Sequence, residues 1–300
     1  MFKKLFFLLM AATMVACGGR ETANKWRAKH VIFIGLDGLT SQSVTKANCP
    51  NIKSVMDAGC YTLEKRTVNP SVSGPNWAAM FTGSPVEMSG LMGNSGKPDF
   101  KPLIVNENGV YPTVFSEIRK ANPEAEMGCV MEWWSGIRPI IDEKVFNYVQ
   151  NVENSEVGCM ECTEYCQNYI KEKKPAILYV HIDQPDHAGH GQTYDSDEYV
   201  KAVETVDGEV GAIIQAVKDA GIYDESVILL SSDHGGLGTG HGGISMSEME
   251  TLFAICGKGI KKGGKLEGTM MQFDIAPTIG KIFGLQEPQY WRGKAADVFE

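Results

Sequence analysis

His30-Val31-Ile32-Phe33-Ile34-Gly35 is a continuous apolar run that leads directly into Leu36-Asp37-Gly38. A strand that is apolar at both odd and even positions buries both of its faces, as strands of a parallel sheet covered by helices do. Similar runs recur at 127–131, 176–182 and 226–232, with a further candidate at 252–256. Helical patterns lie between them. Residues 50–58 open on Pro50 and stop at Gly59, and 75–82, 113–120 and 273–283 are shorter helices. The longest, 195–220, spaces Val200, Val203, Val206, Val210, Ile213, Ile214 and Val217 along one face and ends at Gly221. This alternation predicts the α/β class, with a mostly parallel central sheet and helices on both faces. Residues 30–300 read as a single domain with an irregular insertion at about 84–150, richest in Gly, Pro and Asn over 84–111.

Composition narrows the function. The 300 residues carry 37 acidic and 28 basic side chains, a net charge of −9. A chain of this sign is not expected to offer a nucleic-acid groove, which needs clustered Lys and Arg. Residues 1–17 read as an export signal: Lys3 and Lys4, then an apolar stretch too short to span a bilayer. Met14-Val15-Ala16-Cys17 resembles a bacterial lipobox, so lipidation of Cys17 is expected, with 18–29 as a tether. The chain is then an exported lipoprotein of the periplasm or cell envelope, joined to a membrane by its N-terminal lipid. Seven cysteines remain beyond Cys17, an odd number. Cys159, Cys162 and Cys166 fall in an expected helix over 155–171 and read as small hydrophobes rather than a zinc site, with no His nearby to complete one. Cys49 and Cys60 bracket a nine-residue helix whose ends lie roughly 14 Å apart, too far for a disulfide.

The histidines are concentrated. Five of the six fall between His181 and His241. In sheets of this kind ligands gather beyond the carboxyl ends of the strands. Asp37 follows the first strand, Asp183 and Asp186 follow the strand at 176–182, and Asp233 and His234 follow the strand at 226–232. His190 stands four residues after Asp186, and His241 comes seven after His234. Asp37, Asp186, Asp233, His190, His234 and His241 make a mixed nitrogen and oxygen donor set suited to zinc. Two divalent ions with three side-chain ligands each would keep open positions for a substrate oxygen. Taken singly, each motif has a plainer reading: Asp37-Gly38 is a common turn, and Asp186 with His190 fits a capping contact. His181 reads as a hydrogen-bonded residue of the strand, and His187 as a residue that orients a ligand. Ser73 sits just before a helix opened by Gly74 and Pro75, where backbone amides favour anions. It is equally placed to be an ordinary N-cap.

Together the segments FIGLDGL (33–39), NPSVSGPNWAAMFTG (69–83), MSGLMGN (88–94), DQPDHAGHG (183–191), SSDHGGLGTGHGG (231–243) and DIAPTIGKIFG (274–284) resemble the alkaline phosphatase superfamily, in its type I phosphodiesterase/nucleotide pyrophosphatase branch. The resemblance implies an alkaline phosphatase-like fold and a di-zinc centre. It assigns Asp186, His190 and His241 to one ion and Asp37, Asp233 and His234 to the other. It makes Ser73 the nucleophile and Asn94, 21 residues later, a phosphoryl-oxygen donor. The expected substrate is a small phosphorylated molecule, cleaved at a phosphodiester or pyrophosphate bond through a phosphoserine intermediate. The sequence departs from the pattern at three residues. Ser73 stands where Thr is usual, followed by Gly74 instead of an aromatic residue, and Trp77 follows Asn76 where His is common. Trp77, Trp133, Trp134 and Arg138 are candidate pocket residues. Sulfatases of the superfamily need an Arg close behind the nucleophile, which Ser73-Gly74-Pro75-Asn76 lacks. The competing readings are a phosphomonoesterase or phosphonate hydrolase on the same metals, for which Arg138 is the candidate charge clamp, and a non-catalytic surface-binding lipoprotein.

Overall fold

The computed structural model describes residues 26–152 and 160–300. The expected leader with Cys17, and Cys159, lie outside the described residues, as does the side chain of Trp134. Eight strands form one sheet: β1 His30–Leu36, β2 Cys60–Arg66, β3 Met127–Met131, β4 Tyr148–Asn151, β5 Ile177–Ile182, β6 Ser226–Ser232, β7 Glu250–Gly257 and β8 Gly264–Lys265. Their order is β4-β3-β5-β1-β6-β7-β2-β8. The first five neighbours run parallel, β7 is antiparallel to both β6 and β2, and β8 pairs parallel with β2.

The apolar run of β1 does what its pattern dictates. Val31 and Phe33 enter one core, with Trp77, Phe81, Phe115 and Ile279, while Ile32, Ile34 and Leu36 enter the other, with Ile52, Cys162, Tyr199 and Val210. Helices Ser73–Thr82, Val114–Ala121 and Ile275–Ile282 cover the first face, and Pro50–Ala58, Glu161–Lys173 and Asp197–Asp219 the second. Each fully buried Phe, Ile or Leu contributes roughly 1.5–3 kcal/mol. The sheet is therefore held by its apolar middle, which leaves its carboxyl edge available for polar groups.

Three expectations need correction. The insertion is irregular only up to Val114, because β3 lies next to β5 inside the sheet and continues into β4. The end of the expected tether is packed: Trp26 meets Phe283 edge-on at 4.9 Å, the Arg27 amide donates to the Ile282 carbonyl at 2.7 Å, and Ala28 is buried. The strand β2 was not anticipated, since CYTLEKR mixes charged residues through its length. Among the described residues, Cys49, Cys60, Cys129, Cys162, Cys166 and Cys256 are all buried free thiols, and no helix is long and apolar enough to cross a membrane.

Candidate metal centre and nucleophile

Three strand ends assemble the site. Beyond β1, the Asp37 amide continues the ladder to the Ile182 carbonyl at 3.0 Å, and the chain then turns at Gly38 with φ of 63°. The Gly38 amide donates to Asp233 Oδ1 at 3.0 Å, which ties the β1 end to the β6 end. Beyond β5, the short helix Asp186–Gln192 brings His190 one turn after Asp186, with His190 Nε2 3.2 Å from Asp186 Oδ2. Tyr194 donates its hydroxyl to Asp186 Oδ1.

The three candidate histidine ligands share one arrangement. His190 Nδ1 lies 2.9 Å from the Thr239 carbonyl, His234 Nδ1 2.8 Å from the Gly235 carbonyl, and His241 Nδ1 3.1 Å from the Ser71 carbonyl. A carbonyl only accepts, so each Nδ1 carries a proton and each ring turns Nε2 inward, where losing any proton it holds leaves a lone pair for an ion. This is the tautomer a metal ligand requires, fixed by its outer partner. His190 Nε2 and His241 Nε2 then face each other at 3.2 Å, an unfavourable contact of two lone pairs unless a proton or cation lies between them.

The carboxylates lead to the same place. Asp37 Oδ1 and Asp233 Oδ2 are each 3.4 Å from His234 Nε2, and both are buried without a hydrogen-bond partner. Orphaned buried carboxylate oxygens are costly and call for a cation. Asp186, His190 and His241 form one group able to hold a metal ion. Asp37 and His234, approached also by Asp186 Oδ1 at 3.9 Å from His234 Nε2, form a second. The donor set therefore fits two divalent ions, with Asp186 between them.

The electrostatics of the ion-free chain fit this crowding. Burial, and then the charges of Asp233, Asp186 and Asp183, push the Asp37 carboxyl well above the usual carboxylate range, and burial also raises Asp233. Burial acts on Asp186 too, but hydrogen bonding from His190, the His234 charge and Tyr194 outweigh it and hold its carboxyl low. The bond to Asp186 pushes His190 up to about 9, whereas burial, with the nearby His234, pushes His241 down to about 4.

Ser73 is the first residue of its helix and nearly buried, with its Oγ 3.1 Å from His234 Nε2. The N-cap is Val72, which has no side-chain donor or acceptor; Pro75 brings no N–H to the first turn and the Asn76 amide donates to the Val72 carbonyl, so the cap comes from outside the helix. Asn76 braces the preceding loop, accepting from the Val68 amide at 2.8 Å and donating to the Val72 carbonyl at 2.8 Å. Asn94 is exposed and accepts from the Gly74 amide at 2.7 Å through Oδ1. A Cβ on Gly74 would lie 2.4 Å from the Gly93 carbonyl oxygen. Glycine after Ser73 is therefore what lets the Asn94 loop come this close.

The remaining candidates are placed differently. Trp77 is a correction: it is wholly buried under the site and donates Nε1 to Asp37 Oδ2 at 3.0 Å, so it supports a ligand and lines no pocket. Arg138 pairs with Glu143 at 3.1 Å and borders a surface cavity with Asn108, Asp142 and Lys144, so its charge is engaged away from the Asp and His cluster. Trp133 is half-buried against the core beside His181, their rings 6.2 Å apart. Of the two spare histidines, His181 is the hydrogen-bonded strand residue expected, but it, and not His187, orients a ligand. His187 is exposed, whereas His181 Nε2 lies 2.9 Å from Asp37 Oδ2. That role was open to inference only by noting that His181 on β5 is paired with Gly35 on β1, two residues before Asp37.

Residues 31–253 match the model of the family described as type I phosphodiesterase / nucleotide pyrophosphatase. Among curated proteins, the chain is 22% identical over 248 residues to the bis(5'-adenosyl)-triphosphatase enpp4 of Xenopus laevis, covering 78% of this chain and 53% of that protein. It is 26% identical over 230 residues to ectonucleotide pyrophosphatase/phosphodiesterase family member 1 of Mus musculus, covering 72% of this chain and 25% of the relative. The chain thus spans about half or less of the length of these relatives. Among solved structures, murine ectonucleotide pyrophosphatase/phosphodiesterase 5 in complex with AMP superposes with a TM-score of 0.71 at 15% identity, covering 86% of this chain and 96% of that one. A 2-O GAG sulfatase superposes with a TM-score of 0.74 at 15% identity, covering 89% of this chain and 73% of that one. These likenesses establish the shared fold.

Proposed function

The chain belongs to the type I phosphodiesterase / nucleotide pyrophosphatase family, and from that premise we propose that it hydrolyses a phosphodiester or pyrophosphate bond of a small phosphorylated substrate, with Ser73 as nucleophile and two divalent ions, zinc by the donor set. The observation that carries this reading is the position of Ser73 Oγ, 3.1 Å from His234 Nε2 at the start of its helix. Bound divalent ions would lower the pKa of the Ser73 hydroxyl and neutralise charge on the phosphoryl oxygens.

The chain's own groups supply the rest. Ser73 Oγ attacks phosphorus, the bond to the leaving oxygen breaks, and the phosphoryl group remains on Ser73 until water releases it. Asn94, held through Oδ1 by the Gly74 amide, keeps its side-chain NH2 to donate to an equatorial oxygen, where charge develops. Asp186, His190 and His241 would hold one ion and Asp37, Asp233 and His234 the other. The names of the curated relatives, and AMP in the murine neighbour, favour a nucleotide as substrate. Gly74 in the place of an aromatic residue means that a base would have to stack elsewhere.

Turnover of bis-p-nitrophenyl phosphate against p-nitrophenyl phosphate by zinc-loaded protein tests the bond type; preference for the monoester would replace the diesterase reading by a phosphomonoesterase. Ser73→Ala is expected to cut kcat by about a thousandfold or more while zinc content is unchanged. Full turnover by that variant would overturn the nucleophile. We also propose that Cys17 carries the lipid that anchors the protein to an envelope membrane; an unmodified Cys17 in the membrane-extracted protein, read by mass spectrometry, would overturn this.

A further inference from the structure

Lys65, on β2, has no exposed surface at all. The pairing of β2 with β7 shifts register between Thr62 and Lys65. The buried row that begins with Cys60 and Thr62 therefore passes to Lys65 instead of Glu64. Lys65 Nζ donates to the Ser232 carbonyl at 2.8 Å and to Gln272 Oε1. Gln272, also fully buried, donates Nε2 in turn to the Ser232 carbonyl at 3.3 Å and to the Asp233 carbonyl. These two carbonyls lie past the last pair of the β6–β7 ladder, Ser231 with Phe253, so β7 does not serve them. A buried carbonyl must find a donor somewhere. An apolar side chain would fill the same volume without the cost of desolvating an ammonium, so the Lys65–Gln272 pair marks a polar task.

We propose that Lys65 and Gln272 are positioning residues. They clamp the Ser232–Asp233 backbone so that Asp233 Oδ1 meets the Gly38 amide and Oδ2 is presented toward His234 Nε2, and they thereby set the affinity of the Asp37, Asp233 and His234 group for a divalent ion. The inference rests on the reading of that group as a metal site. The clamp acts through the main chain and touches neither ion nor substrate. It acts mainly on that group, since His190 and His241 are held through Nδ1 by the carbonyls of Thr239 and Ser71, in other loops.

Zinc titration of chelator-treated protein against a competing fluorescent chelator tests it, with kcat/KM and the melting temperature of the zinc-free protein read alongside. Wild type is expected to bind two ions. Lys65→Met is expected to weaken one of them about tenfold or more, to leave the other unchanged and to lower kcat/KM in parallel. Gln272→Met should act in the same direction, and it decides the matter if Lys65→Met does not fold. Two unchanged affinities in both variants would overturn the clamp, and so would equal weakening of both ions in step with a lower melting temperature. Asp233→Asn separates the premises. If it loses one ion while the clamp variants lose none, the metal reading stands and the clamp falls; if wild type binds no divalent ion, both fall.

Discussion

Asp37 shows how one side chain is divided between support and function. Its Oδ2 is held by Trp77 Nε1 at 3.0 Å and His181 Nε2 at 2.9 Å, while its Oδ1 is left unpartnered toward His234. A carboxylate pinned through one oxygen presents the other in a single direction, which is what a rigid ligand needs. His181 is pushed down to about 3 by burial, so it serves as a neutral donor at any working pH. His181→Phe is therefore expected to weaken zinc binding about tenfold to a hundredfold, with a matching loss of kcat/KM and no change in pH profile between 6 and 8; a variant with full zinc affinity would show that Trp77 alone holds the carboxylate. Aspartates and histidines placed just past apolar strands were legible in the sequence, because polar groups at such ends have little other reason to be there. The supports were not. A tryptophan after Ser73 and Asn76 reads the same whether it lines a pocket or underlies a ligand, and Lys65 reads as a surface charge until β2 is seen to carry it inward.

At the scale of elements, the strands that resolve from sequence are those buried on both faces, β1, β3, β5 and β6, with β7 over the expected 252–256, whose apolar runs have no other use. β2 escaped because it pairs antiparallel with β7, with half of its side chains partly exposed. The loop ends position the site as much as the strands do. Gly38 has φ of 63°, and a Cβ there would fall 2.3 Å from Asp186 Oδ1 and 2.9 Å from Asp186 Cα. The turn after β1 and the start of the helix Asp186–Gln192 are thus in contact through the absence of a side chain. Gly38→Ala is expected to cost about 1–2 kcal/mol from backbone conformation alone, and more as Asp186 is displaced, with turnover lost before the fold. Gly208, exposed on the helix Asp197–Asp219 with open space around its Cβ direction, is the contrasting case. Gly208→Ala should stabilise by about 0.5–1 kcal/mol and leave activity unchanged. Urea midpoints and kcat/KM of the two variants check both outcomes; equal effects at the two glycines would mean that the Gly38 contact does not matter.

For the molecule as a whole, an excess of acid is tolerated because several buried carboxyls hold their protons when no ion is present. Burial pushes Glu132 up to about 8 and Glu209 to about 7, from 4.5, and Asp37 rises for the same reason. His190, bonded to Asp186, titrates at about 9 instead of 6.5. Each of these groups keeps a proton in the folded chain over a range where the unfolded chain has released it, so each contribution to stability is lost as pH rises through the folded value. Lys65 opposes them, since burial lowers it from 10.5 to about 7 and its effect on stability grows with pH over that interval. His181 and His241, depressed to about 3 and 4, act only below 6.5. Between pH 6.5 and 8 Glu132 and His190, joined by Glu209 up to 7, outnumber Lys65, so the urea midpoint of EDTA-treated protein is expected to fall over that range and to level off toward 9, where His190 and Lys65 offset each other. Zinc should reverse the trend. Its ligands must be deprotonated, so binding tightens as His190 gives up its proton and as Asp37 and Asp233 are freed to ionise. The difference in midpoint between zinc-loaded and EDTA-treated protein should therefore be larger at pH 8.5 than at 6.5. A midpoint for the EDTA-treated protein that stays level or rises from 6.5 to 8 would show that the crowded carboxyls are relieved by some means other than holding protons, and the case for a cation as their counter-charge would lose its energetic support.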